Sequence, residues 1–198
     1  MPDLAQLSAL AVYGFLAALV FVESGLLIGF FLPGDTVLFA AGLLSAGPTA
    51  RLSLSLLIAV VVVAAVTGDA VGYWIGARAG PPLLERRDGR VLNARTLARA
   101  QDFYRRYGWF ALVAARWIPW VRVFTPVLAG VARMPYRRFL PANLVGALCW
   151  GVGLLSLGHA AAAAPGLRHS AAGLAAAVIA LSVLATVLRV QVARRRSR

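Results

Sequence analysis

The sequence has no lysine, a single cysteine, two histidines and only seven acidic residues among 198. The lone Cys149 excludes an intrachain disulfide, and without a Cys/His cluster there is no ligand set for a metal. Cys149 lies in an apolar stretch and reads as a small packing residue. His159 and His169 flank an alanine-rich loop and read as interfacial residues, with proton sensing as the alternative. No motif around them supplies the histidine set of a membrane phosphatase. An intramembrane aspartyl protease would set one of two aspartates in Gly-x-Gly-Asp. Asp35 and Asp69 each follow a glycine, but Thr67-Gly68-Asp69 lacks the earlier glycine and no Pro-Ala-Leu motif is present. The expectation is therefore a protein that is not an enzyme and carries no cofactor and no metal. Met1 to Gln6 holds no basic residue, so the basic start of a secretory signal is missing. The first apolar stretch is expected to be retained as structure.

Charge is scarce overall. Charged residues make up 14% of the chain and hydrophobic ones 61%, against about 25% charged in an ordinary soluble domain. A soluble protein of this length could not hide so much apolar surface, so the excess is expected to face lipid. The length suits one membrane domain, residues 1–198, without a second soluble one. What charge there is runs to a net +13, all of it from arginine. A basic balance often points to nucleic acid. Here the arginines sit between and after apolar segments, which is how membrane proteins fix orientation, and no nucleic-acid partner is expected.

Apolar stretches run over about 7–46, 52–75, 107–132, 139–164 and 171–190. A spanning helix needs about 20 mostly apolar residues. The second, fourth and fifth stretches meet this. The first is too long for one span and is interrupted at Leu32-Pro33-Gly34-Asp35. The third is broken by Arg116, Pro119, Arg122 and Pro126. The segment 78–106, the cluster 133–138 and the tail from Arg194 are basic, so all three are expected in the cytoplasm. The third stretch then enters the membrane and returns to the same side, as a re-entrant hairpin. A second re-entrant turn, from the outer face, is expected at Pro33-Gly34.

The two broken regions share a pattern. Pro33 is followed by Asp35 and Ala41-Gly42, and Pro119 by Arg122 and Ala129-Gly130. A long helix with Gly and Trp follows each: Gly72 and Trp74, then Gly146 and Trp150. Broken segments in corresponding positions of two halves point to an inverted repeat with a central site. The fold class expected is all-α, polytopic, with two opposed re-entrant helical hairpins, about three to four transmembrane helices and an inverted-repeat-like plan. Gly68, Gly72, Gly76 and Gly80 recur every four residues and mark a smooth helix face for close packing; Gly25 and Gly29 do the same before the first break. Residues 93–107 alternate apolar and arginine positions at helical spacing, either an interfacial helix or a solvated connector. Trp109 reads as an interfacial anchor, Trp117 and Trp120 as packing around the Pro119 turn. Asn143 either bonds between helices or lines a cavity.

Four charged residues lie where charge is expensive: Glu23, Asp35, Arg116 and Arg122. A charge at a helix centre costs at least about 2.5–3.5 kcal/mol on insertion scales. Such groups pair or face a water-filled path. The acids lie either side of Pro33-Gly34 and the arginines either side of Pro119, so tips that met would set acids against arginines. One reading is a salt-bridge network that only clamps two hairpins. The other, which broken helices favour, is an ion- and substrate-binding site. Arginine suits a phosphate head group through its forked donors, and a carboxylate at that depth is a candidate proton carrier. Asp69 is a third candidate acid, with Arg78 as an indirect partner.

The run Phe103-Tyr104-Arg105-Arg106-Tyr107-Gly108, then Ala115-Arg116-Trp117-Ile118-Pro119, Arg122, Pro126, Ala129-Gly130, Met134, Tyr136, Phe139, Asn143, Gly146-Ala147 and Trp150, resembles the DedA family. That family, also called SNARE-associated, shares the VTT domain of eukaryotic lipid scramblases. Phe21-Val22-Glu23-Ser24-Gly25, Pro33-Gly34-Asp35, Ala41-Gly42, Gly68-Asp69 and Gly72-Tyr73 agree. The resemblance covers about residues 20–160, leaving a C-terminal helix and basic tail at 171–198. Trp117 stands where many members have phenylalanine. The resemblance implies a multi-pass bacterial inner-membrane protein that moves undecaprenyl phosphate or a phospholipid such as phosphatidylethanolamine, dependent on the proton motive force. It places the family's essential acids and arginines on Glu23, Asp35, Arg116 and Arg122.

The expectation is thus a lipid transporter in which Arg116 and Arg122 bind a lipid phosphate while Glu23, Asp35 and Asp69 couple protons. Its partners would be lipids with anionic or polyprenyl-phosphate head groups, and protons; homo-oligomerisation stays open. The alternatives are a proton-coupled antiporter for small ions or drugs, and a structural or assembly protein without transport.

Overall fold

Apolar runs and helix breakers divide the chain into six helices among the residues that the computed structural model describes, which are 4–25, 34–46, 51–85 and 94–162. They are α1 (Leu4–Gly25), α2 (Gly34–Leu44), α3 (Leu54–Glu85), α4 (Ala94–Ala115), α5 (Pro119–Val131) and α6 (Tyr136–Ala161). Pro33, Gly29, His169 and the expected helix and tail at 171–198 lie outside the described residues.

Two helices are long and apolar enough to cross a membrane, Leu54–Ala79 of α3 and Tyr136–Ala161 of α6, each of 26 residues. At 1.5 Å per residue such a helix exceeds the roughly 30 Å of bilayer hydrocarbon. Only 39% of the most apolar 18 residues of each is buried, and each span exposes large apolar side chains, Leu56, Val63, Val71 and Ile75 on α3 among them. On α6, Leu140, Leu144, Leu148 and Val152 form one exposed stripe, the i, i+4 spacing of a lipid-facing helix. Ala9–Gly25, α2 and the 121–131 part of α5 are shorter apolar helices.

The break in the third apolar stretch has a local cause. After α4 the chain closes 3₁₀-type turns, Arg116 N–H to the Val113 carbonyl and Ile118 N–H to that of Ala115. Ile118 is extended, which suits a residue before proline, and Pro119 opens α5 where its missing N–H costs nothing. Pro126, by contrast, lies inside α5 and does not end it. Residues 94–107 of the segment expected as an interfacial helix or a solvated connector are the first part of α4. It continues into the apolar stretch through Gly108, whose φ of 57° and ψ of −138° favour glycine.

The helices form two compact units. The first contains described residues 4–20, 34–46, 51–63 and 151–162, and the second 21–25, 64–85 and 94–150. In the first, α2 crosses α6 so closely that a Cβ at Gly42 would meet the Leu155 carbonyl, and one at Gly158 the Phe39 carbonyl. Ser45 Oγ donates to the Gly42 carbonyl at 2.7 Å and lies 2.9 Å from His159 Nδ1. In the second unit, α5 crosses α3 in the same register. A Cβ at Gly130 would meet the Tyr73 carbonyl, and one at Gly76 that of Val127. Gly42 and Phe39 are spaced as Gly130 and Val127 are, and Gly158 and Leu155 as Gly76 and Tyr73 are. The shared Ala-Gly pattern therefore marks the same helix crossing twice.

The second unit also packs α1 on α3 through Gly25 and Gly68, each against the other's backbone, while Gly72 faces Pro126. Gly80 lies in α3. Tyr73, Leu112, Ala129, Met134, Phe139 and Ala142 form the core, with Tyr73 and Phe139 stacked at 4.8 Å.

Alanine at Gly42, Gly76, Gly130 or Gly158 is expected to cost about 1–3 kcal/mol through overpacking. Gly14 has open space around it, and Gly14→Ala is expected to leave thermal unfolding in detergent unchanged. Equal midpoints for all five variants would contradict these crossings.

Candidate functional site

A guanidinium buried in an apolar unit requires counter-charges within reach, and two helices of the second unit, α1 and α3, supply them. Arg116, in the turn after α4, is 8% exposed. It forms an ion pair with Asp69 of α3 and donates to Asn143 Oδ1 of α6 at 2.8 Å. Asn143 in turn donates through Nδ2 to the Val66 carbonyl at 3.2 Å, so one amide fixes Arg116 and ties α6 to α3. Gly146 leaves room beneath Arg116, where an added Cβ would lie 3.2 Å from its Cδ. Arg122, in the first turn of α5, pairs with Glu23 in the last turn of α1. Glu23 and Asp69 are each 4% exposed.

Both guanidiniums also face one aromatic ring. The Arg116 and Arg122 Cζ atoms lie 5.6 and 5.0 Å from the Trp150 ring centroid, within cation–π range. Asn143, Gly146, Ala147 and Trp150 are all buried and follow the i, i+3, i+4, i+7 spacing of one helix face.

Asp69, Arg116, Arg122, Thr125, Phe139 and Asn143 line a small cavity of about 20 Å³. That holds about one water and not a phosphate group. The described conformation is therefore closed around its charges. Two acids and two arginines make the cluster formally neutral, the condition under which buried charge is tolerated.

Of the residues expected from sequence, Glu23, Asp69, Arg116 and Arg122 come together here. The acid on Arg116 is Asp69. Arg78, suggested as the partner of Asp69, instead lies over the Trp74 ring at 5.3 Å. Asp35 sits in the first turn of α2, in the other unit. Asn143 fulfils both alternatives left open for it. The approach of both arginines to Trp150 is not among the sequence expectations; its place on the Asn143 face of α6 is the available signal.

These residues lie within the region matched by the VTT-domain family profile, residues 32–160, apart from Glu23 just before it. The chain is 33% identical over 179 residues to protein DedA of Escherichia coli K12, covering 90% of this chain and 82% of that protein.

The chain belongs to the DedA family of VTT-domain membrane proteins.

This DedA-family chain is also 36% identical over 166 residues to the uncharacterized membrane protein Rv0364 of Mycobacterium tuberculosis, covering 84% of this chain and 73% of that one. It is 36% identical over 197 residues to the uncharacterized membrane protein Mb2670 of Mycobacterium bovis, covering 96% and 89%. No solved structure gives a significant match.

Removing one partner of a buried pair leaves an uncompensated charge, at a cost of about 3–5 kcal/mol. Asp69→Ala is expected to destabilise the protein by that order in detergent. Combining it with Arg116→Leu should recover part of the loss. Additive losses in the double variant would show that the pair is not coupled.

Proposed function

We propose that this DedA-family protein moves a phosphate-bearing lipid across the bacterial inner membrane, using the proton gradient. The observation that carries the reading is the buried cluster of two arginines, two acids and an amide in a unit whose helices turn apolar side chains outward. Arginine pairs bind phosphate through forked donors. Competing carboxylates give a way to couple that binding to protons. With Asp69 and Glu23 ionised, the arginines are occupied and the site is neutral. Protonation of an acid leaves arginine charge for which a lipid phosphate is the natural counter-ion. Return of the proton to water on the other side restores the pair and expels the head group.

The lipid classes that suit this chemistry are undecaprenyl phosphate and a phospholipid such as phosphatidylethanolamine. Asp35, at the start of α2, is proposed as a further proton-binding acid. The short helices α2 and α5 are proposed as the inner arms of two re-entrant hairpins. The arginine-rich segments around 78–106, 133–138 and the C-terminus are proposed to lie in the cytoplasm, by the positive-inside rule. The protein acts as a carrier with no catalysed bond change. A proton-coupled antiporter for small ions or drugs would use the same acids. It leaves two clustered arginines without a role, so we favour the lipid.

The test is leaflet exchange of labelled undecaprenyl phosphate or phosphatidylethanolamine in reconstituted vesicles, with and without a pH gradient. Wild type should exchange one of them faster with the gradient. Arg122→Ala at matched protein levels should lose at least about tenfold, the scale of one lost charge-assisted hydrogen bond. No exchange of either lipid by wild type would contradict the reading. Loss of activity only in step with loss of folded protein would make the cluster a structural clamp.

A further inference from the structure

Trp150 carries an inference beyond the charged residues. It is buried, it comes from the α6 face that also delivers Asn143, and its ring faces both arginines at 5.6 and 5.0 Å. The two ion pairs, by contrast, use a different acid for each arginine, delivered by α3 and α1. Two guanidiniums in one apolar site repel each other, and the negative face of an indole attracts both. The acids are also exchangeable ligands, because a proton or an incoming phosphate removes the pair. The ring does not titrate and does not leave.

We propose that Trp150 is a positioning residue that holds Arg116 and Arg122 together as one two-pronged receptor for a phosphate group while their acids are displaced. The receptor's use rests on the lipid-transport reading above; its assembly on Trp150 does not. Gly146 takes part, since its missing side chain lets Arg116 lie along α6 towards the ring. In a carrier, loss of the ring would let the arginines separate once the acids are protonated. The substrate concentration for half-maximal exchange would then rise, with the maximal rate largely kept.

Arginine-selective labelling with phenylglyoxal, read by peptide mass spectrometry on the purified full chain in detergent, tests this without any transport. Exposed Arg137 serves as the internal reference. In Trp150→Leu, labelling of both Arg116 and Arg122 should rise several-fold against Arg137, with Trp150→Phe in between. Undecaprenyl phosphate in the micelles should protect both in wild type. Should the leucine variant not fold, a fluorinated tryptophan at position 150 keeps the shape and weakens the ring's negative face. It should give the same paired rise. Labelling unchanged in the shape-keeping variant, or raised at only one arginine, overturns the proposal. In vesicles, Trp150→Leu should raise the half-saturating lipid concentration about tenfold, the effect of losing desolvated cation–π contacts. An equal loss of maximal rate at unchanged half-saturation would also overturn it. Paired labelling in a wild type that protects neither arginine with lipid and moves none would leave the platform standing and defeat the transport reading.

Discussion

The second unit is organised by the need to neutralise two arginines, Arg116 buried and Arg122 partly buried. Arg116 lies in the turn after α4 and Arg122 in the first turn of α5. Their counter-charges come from elsewhere, Asp69 from α3 and Glu23 from α1. Each pair therefore joins helices that are distant in sequence. The desolvation cost of either charge alone would outweigh its packing, so the pairs, Asn143 and Trp150 have to form together. The glycine contacts follow from the same constraint. Gly25 and Gly68 bring α1 onto α3 beside Glu23 and Asp69, and Gly146 admits the Arg116 stem. Close backbone approach is what lets short acidic side chains reach the guanidiniums.

That arrangement gives the site two properties that suit the proposed lipid carrier. It is formally neutral, and its cavity has space for about one water. It also has exchangeable and fixed ligands for the same arginines. In the proposed cycle the acids are protonated or displaced, while the amide of Asn143 and the ring of Trp150 stay against the arginines.

Much of this was legible in the sequence. Apolar runs and prolines located α1, α2, α5 and α6, because hydropathy and a missing N–H act locally. The cost of intramembrane charge picked out Glu23, Asp35, Arg116 and Arg122 without any contact information, and all but Asp35, which lies in the first unit, meet in the cluster. The Ala-Gly pattern at 41–42 and 129–130 marked a crossing that the structure forms twice. What stayed hidden was pairing. Nothing local links Asp69 to Arg116, and the nearer Arg78 offered a false partner; the pair brings the turn after α4 onto α3, where Asn143 of α6 bonds both Arg116 and the Val66 carbonyl. Trp150 was hidden for a similar reason. An indole in an apolar helix looks like packing until two arginines from another part of the chain are placed over it. The α3 helix runs on beyond the apolar stretch to Glu85, carrying Gly80 with the other three glycines as expected.

The central claim is that a lipid phosphate takes the place of a carboxylate on a buried arginine. The most direct measurement is proton uptake when undecaprenyl phosphate is added to the purified protein in weakly buffered micelles. Wild type is predicted to take up protons as the lipid binds, and Glu23→Gln to bind with less uptake, because one exchangeable acid is gone. Lipid binding without proton uptake, or the same uptake in Glu23→Gln, would contradict the account.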